Sequence, residues 1–104
     1  MTEKAYGLLG LCARAGKIAS GEFSCEKSIQ TGKAKLCILA ADASENTKKH
    51  FRDMCAGKGI LCCVIDGSKE ELGHRIGREE RSAVTVNDTG FAQSLKGMIE
   101  GGRK

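Results

Sequence analysis

Proline and tryptophan are absent from this chain, and only four residues are aromatic: Tyr6, Phe23, Phe51 and Phe91. So few rings exclude a single-strand binder that stacks successive bases on an aromatic platform. No proline-rich linker, low-complexity segment or internal repeat occurs. The chain also lacks a run of about 18 apolar residues, which excludes a membrane-spanning helix. Glu3 and Gly7 interrupt any basic-then-apolar leader at the N-terminus, so the expected location is the cytoplasm.

Close metal-ligand spacing is missing too. The six cysteines lie at 12, 25, 37, 55, 62 and 63, with no Cys-x-x-Cys pair and no paired histidines. Zinc sites usually draw ligands in such close pairs, each fixing half of a tetrahedron. Cysteine on a buried face acts as a small apolar side chain, and disulfides are rare in the cytoplasm. The expectation is reduced core thiols, with no metal and no cofactor. Cys62 and Cys63 are adjacent, point to opposite faces of a strand and make a poor redox couple.

What is present suits one folded domain. With 104 residues the chain has room for a single core. The domain is expected over 1–100, with a frayed tail at 101–104. The formal net charge is +4, and the excess is uneven: residues 1–35 carry six basic and three acidic groups. A mild basic bias is compatible with RNA as a partner but does not establish it.

Helical and strand patterns alternate along the chain. Ala5, Leu8, Leu9 and Cys12 follow helical spacing after a Thr2 cap, and Gly16 ends that helix. Lys17-Ile18-Ala19 reads as a short edge strand, followed by a helix over about 21–31. Leu36 to Ala41 is an unbroken apolar run, the mark of a strand covered on both faces. Ser44 caps a third helix with Thr47, Phe51, Met54 and Cys55 on one face, and Lys58-Gly59 ends it. Ile60 to Ile65 is a second apolar run. Ser68-Lys69-Glu70-Glu71 matches a capping box for a short helix through His74. A charged loop, 75–81, precedes a last strand at 82–86, and Asn87 or Asp88 caps a final helix. The expected fold class is α/β: a three-layer α/β/α sandwich with about four mixed strands.

The candidate binding site is the start of the second helix. Ser20 and Gly21 open that helix, so its first backbone N–H groups are free to meet an anion. Lys17, Lys27, Lys33 and Lys35 surround it in sequence. Glycine at 21 permits close backbone approach, because a side chain would hold a phosphate away. Phe23 is expected against the core, with a stacking role for one unpaired base as its alternative. Arg14 and Lys17 are further phosphate candidates. In the late loop, Arg75, Arg78 and Arg81 are a candidate basic rim that Glu79 and Glu80 partly cancel. His50 and His74 are isolated, and neither is expected to act as a ligand or catalyst.

The whole pattern resembles the kink-turn RNA-binding ribosomal-protein superfamily of the L-seven-Ae type, and most closely its small bacterial YlxQ-type members. The likeness rests on Leu8-Leu9-Gly10-Leu11, Ala13-Arg14-Ala15-Gly16-Lys17, Ser20-Gly21-Glu22 and Lys27. It continues through Gly32-Lys33-Ala34-Lys35-Leu36, Asp42-Ala43-Ser44-Glu45-Asn46-Thr47, Leu72-Gly73, Ile76-Gly77 and Thr89-Gly90-Phe91-Ala92. The resemblance implies the same sandwich, with RNA gripped by the start of the second helix and the loop before the last strand. In the family a Gly-x-Asn-Glu segment meets sheared G·A pairs, with a lysine three residues later. Here Gly21 and Lys27 match, while Phe23 and Ser24 stand at the Asn and Glu positions. Phenylalanine has no hydrogen-bonding group and serine cannot reach a base as glutamate does. By analogy with DNA base readout, each lost contact costs about 1–3 kcal/mol. Glu22 substitutes only if the helix start is shifted. Ile76 and Gly77 match loop positions where an apolar residue packs against an extruded base.

The expected function is therefore non-catalytic binding of structured RNA, ribosomal RNA foremost, by a monomer with no DNA or membrane role. An enzyme or thiol-redox domain would need a nucleophile–base pair or a Cys-x-x-Cys at a helix start, and the sequence has neither. A protein-interaction module that kept the fold and lost tight RNA binding is the alternative.

Overall fold

The computed structural model describes residues 1–101. Five helices and four strands alternate: α1 (Glu3–Arg14), β1 (Ile18–Ser20), α2 (Glu22–Gln30), β2 (Leu36–Leu39), α3 (Glu45–Lys58), β3 (Leu61–Val64), α4 (Lys69–Arg75), β4 (Ala83–Val86) and α5 (Thr89–Gly101). The tail expected at 101–104 lies outside the described residues except for Gly101, which is the last residue of α5.

The strands form one mixed sheet in the order β1-β4-β2-β3. β2 runs parallel to β3 and antiparallel to β4, and β4 runs antiparallel to β1. All four residues of β2 are buried, as an unbroken apolar run requires of a strand covered on both faces. Alternation along the strands divides the core. On one face Leu36, Ile38, Cys63, Val84 and Val86 pack with Leu9 and Cys12 of α1, Leu72 of α4 and Leu95 and Ile99 of α5. On the other, Cys37, Leu39, Cys62 and Ala83 pack with Cys25 and Ile29 of α2 and Phe51 and Cys55 of α3. The result is the three-layer α/β/α sandwich expected from the sequence. Cys62 and Cys63 do face opposite layers.

Caps fix the helix starts. Thr2 Oγ1 accepts from Ala5 N at 3.2 Å, and Ser44 Oγ accepts from Thr47 N at 3.1 Å. Ser68 Oγ likewise accepts from Glu71 N at 3.1 Å, but the capping box is only half made. The Glu71 carboxylate turns away to Arg75 Nε, 3.2 Å distant, because a guanidinium one turn on is the stronger partner. Asp88, not Asn87, caps α5, with its Oδ2 accepting from Phe91 N at 2.9 Å. Asn87 Oδ1 instead accepts from Ser28 Oγ (2.8 Å) and Thr85 Oγ1 (3.1 Å), satisfying the buried hydroxyls of α2 and β4.

Candidate nucleic-acid interface

The sheet ends at β1, whose outer side has no strand partner among the described residues. A hollow of about 510 Å³ lies along that edge. Ala13 of α1 and Gly16 just after that helix line it, with Ile18, Ala19 and Ser20 of β1. Ser24 of α2 and Ile76, Arg78 and Arg81 of the α4–β4 loop close it. The two segments singled out in the sequence, far apart along the chain, therefore meet at one site. Ser20, expected to open α2 together with Gly21, instead ends β1, while Ile18 and Ala19 are half-buried lining residues that carry no chemical motif.

Gly21 opens α2 with φ +87° and ψ 155°, a conformation essentially confined to glycine. Glycine is thus dictated here by the backbone itself, besides any need for close approach. Gly21 has no side chain to cap the helix, so no such cap takes up its first N–H groups. The nine-residue helix then divides its surface three ways. Cys25, Ser28 and Ile29 are buried. Glu22 and Glu26, four residues apart, face α3, where Glu22 Oε1 accepts from Thr47 Oγ1 (2.9 Å) and Glu26 meets His50 Nε2 (3.1 Å). Phe23, Ser24 and Lys27 share the remaining, exposed stripe.

Two expectations change as a result. Phe23 does not tuck against the core: it is 79% exposed, since the buried stripe begins two residues later at Cys25. Glu22 does not stand in for the missing base-reading glutamate, because the helix start is unshifted and its carboxylate is held by Thr47.

The loop is shaped by Gly73. Its carbonyl accepts from Ile76 N (3.1 Å) and Arg78 N (2.9 Å), and Arg81 N donates to Lys69 O at 2.9 Å. A Cβ at 73 would stand 1.7 Å from Glu79 O, so only glycine lets the loop fold back this closely. Ile76 is then 9% exposed at the hollow, and Gly77 turns the chain at φ +75°. Arg81 Nε donates to Ser20 Oγ at 3.3 Å and its Nη1 to Glu80 O at 3.0 Å, which holds the guanidinium at the β1 edge.

Arg75 takes no part in this rim. It donates to Glu3 and Glu71 and lies 4.7 Å from the Tyr6 ring centre, so it ties α4 to α1. Glu79 and Glu80 lie beside the Arg78 part of the rim, as the loop sequence leads one to expect. They line a separate hollow with Glu70, Glu71 and His74, and Arg78 is the basic residue common to both. Arg14 and Lys17 are exposed just before β1, with Lys17 held through its carbonyl by Asn87 N at 2.7 Å. Lys33 is exposed beyond the far end of α2, a helix about 13 Å long at 1.5 Å per residue, and is not brought to the hollow.

The profile of the ribosomal protein L7Ae/L30e/S12e/Gadd45 family matches residues 3–96. The RNA-binding protein YlxQ of Bacillus subtilis (strain 168) is 40% identical over 91% of this chain and 94% of its own length. That of Enterococcus faecium is 39% identical over 95% of this chain and 94% of its own. A solved structure from Bacillus halodurans C, of a protein described as of unknown function, superposes with a TM-score of 0.91. It is 38% identical and covers 95% of this chain and 99% of that one. The chain belongs to the ribosomal protein L7Ae/L30e/S12e/Gadd45 family.

Proposed function

We propose that this protein binds structured RNA without catalysis, through the hollow at the β1 edge and the exposed stripe of α2. The observation that carries this is the meeting of an uncapped helix start with a loop that presents Ile76, Arg78 and Arg81 on one accessible hollow. Phosphates meet the N–H groups after Gly21, with Lys27 on the same stripe and exposed Arg14 and Lys17 just before β1. Arg78 and Arg81 grip the backbone from the loop. Ile76 offers apolar contact to an unstacked base, and exposed Phe23 offers one ring to stack on. RNAs with a kinked duplex fit a site built from two separated grips, and ribosomal RNA in the cytoplasm is the foremost candidate for a protein of this family. The YlxQ relatives are named for RNA binding, which supports the same assignment.

The test is a salt series of ribosomal RNA binding by the parent chain and the Lys17→Ala/Lys27→Ala variant. The variant is expected to bind at least several-fold more weakly at low salt. Its slope of log affinity against log salt should be shallower by about 0.7–0.9 for each phosphate contact removed. Both lysines are exposed, so the fold should be unaffected. Equal retention of RNA by the folded variant overturns the assignment of these lysines. A parent chain that holds no structured RNA at low salt overturns the function.

A further inference from the structure

Three of the cysteines expected to be separate core thiols converge. Cys37 on β2 and Cys62 on β3 are register partners in the parallel pair, so their side chains leave the sheet side by side. Cys55, in the last turn of α3, comes down onto them from the layer above. The three Sγ atoms all lie within 4.8 Å of one another. With a metal–sulfur bond of about 2.3 Å, the edge of a trigonal three-sulfur site is about 4 Å and that of a tetrahedral one slightly less. Closing the cluster onto an ion therefore needs movements of less than about 1 Å, within reach of cysteine side-chain rotation. Cys25 on the same face does not join them, because its Sγ is turned to Ala19 O at 3.5 Å.

We propose that Cys37, Cys55 and Cys62 form a binding site for one soft, thiophilic d10 cation, Cu(I) or Zn(II). Thiolates select these ions over hard cations such as Mg²⁺ and Ca²⁺. Among the described residues the group holds three ligands and no histidine or carboxylate. Three sulfurs complete the coordination of Cu(I), whereas Zn(II) requires a fourth donor. Water supplies that donor only on the Cys62 side, since Cys62 is half-buried while Cys37 and Cys55 are buried. The same opening gives an ion its way in. Cu(I) is accordingly the better fit, and preference between the two ions reports the coordination number.

The full chain, freshly reduced with a non-thiol phosphine and kept anaerobic, is titrated with Cu(I) against a chromogenic Cu(I) chelator, and separately with Zn(II). Native mass spectrometry counts the ions bound. One ion per chain is expected, together with protection of Cys62 from alkylation by N-ethylmaleimide in the parent chain. Cys62→Ser should weaken binding by more than the roughly 10–100-fold that loss of an outer-shell partner costs. Cys12→Ala, on the opposite face of the sheet, should leave it unchanged. If the parent chain binds neither ion stoichiometrically, the proposal is overturned. Binding that survives in Cys62→Ser, or leaves Cys62 open to alkylation, overturns it equally. The alkylation readout needs no variant, so a Cys62→Ser chain that fails to fold still leaves the outcome decisive.

Discussion

Replacing Gly73 with alanine puts the loop geometry to a direct test. The added methyl would lie 1.7 Å from Glu79 O, 2.6 Å from Glu79 C and 2.9 Å from Glu80 Cα. All three are backbone atoms, so no flexible side chain can swing aside. The loop must withdraw by about 1.7 Å to reach the 3.4 Å at which ordinary contact begins. Overpacking of this kind costs about 1–3 kcal/mol. The retreat also strains the bonds from Ile76 N and Arg78 N to Gly73 O, worth about 1 kcal/mol each. A total on the order of 2–4 kcal/mol lowers the melting midpoint of a domain this size by at least about 8 °C. Arg78 and Arg81 move with the loop, and Arg81 loses its 3.3 Å bond to Ser20. RNA affinity measured well below the new midpoint should therefore fall by about tenfold, equivalent to about 1.4 kcal/mol. Gly97→Ala is the control: it lies in α5 with open space where the methyl would go, and should be neutral or slightly stabilising. A Gly73→Ala chain that melts with the parent and binds RNA equally would refute the packing of the loop on α4.

Phe23→Asn/Ser24→Glu restores the family's base-reading pair on the exposed stripe of α2, and neither position contributes to the core. The double variant should bind a kink-turn duplex at least about fivefold more tightly, since each base contact is worth about 1–3 kcal/mol; no gain in a titration at fixed salt would show that the hollow does not present RNA in the family's orientation. Alkaline pH should destabilise the fold, because burial pushes the Cys12 thiol up to about 11 and the Cys25 thiol up to about 12. Both raised values mean that the unfolded chain loses these protons first, so stability is full below about pH 9 and declines as pH rises towards 11 and 12. Urea unfolding between pH 8 and 11 reads this directly, and a flat profile would contradict the burial of the two thiols.

Much of the scaffold was legible because short-range rules decide it. An unbroken apolar run announced β2, and Thr2, Ser44 and Ser68 each cap a helix by a bond made within three residues. The candidate site was half legible. Ser24, Ile76, Arg78 and Arg81, from the two segments singled out, line one hollow, while Gly21 caps α2 and Lys27 lies on it. Phe23, Glu22 and Arg75 depart from the expected placement, and in each case a partner remote in sequence, or the absence of one, decides the orientation. Thr47 claims Glu22 across 25 positions, and Glu3 claims Arg75 across 72. The thiol cluster was illegible for the same reason. Spacings of 18 and 7 residues resemble no metal motif, and only the parallel register of β2 on β3 aligns Cys37 with Cys62.

Tertiary sorting of charge also bears on how a chain with a net charge of only +4 could serve the proposed interface. The acidic groups of α2 are turned to Thr47 and His50 on α3, away from the stripe that holds Lys27. Glu79 and Glu80 share a hollow with Glu70, Glu71 and Arg78, and Arg75 is drawn out of the rim by Glu3 and Glu71. Arg14, Lys17, Lys27 and Arg78 make no ion pair among the described residues, and all four lie exposed near the β1 edge or the stripe of α2. A desolvated or paired cation has little left to give a phosphate, whereas an exposed unpaired one releases counterions on binding. In the proposed interface, local pairing and not the summed charge of the chain selects where a polyanion docks.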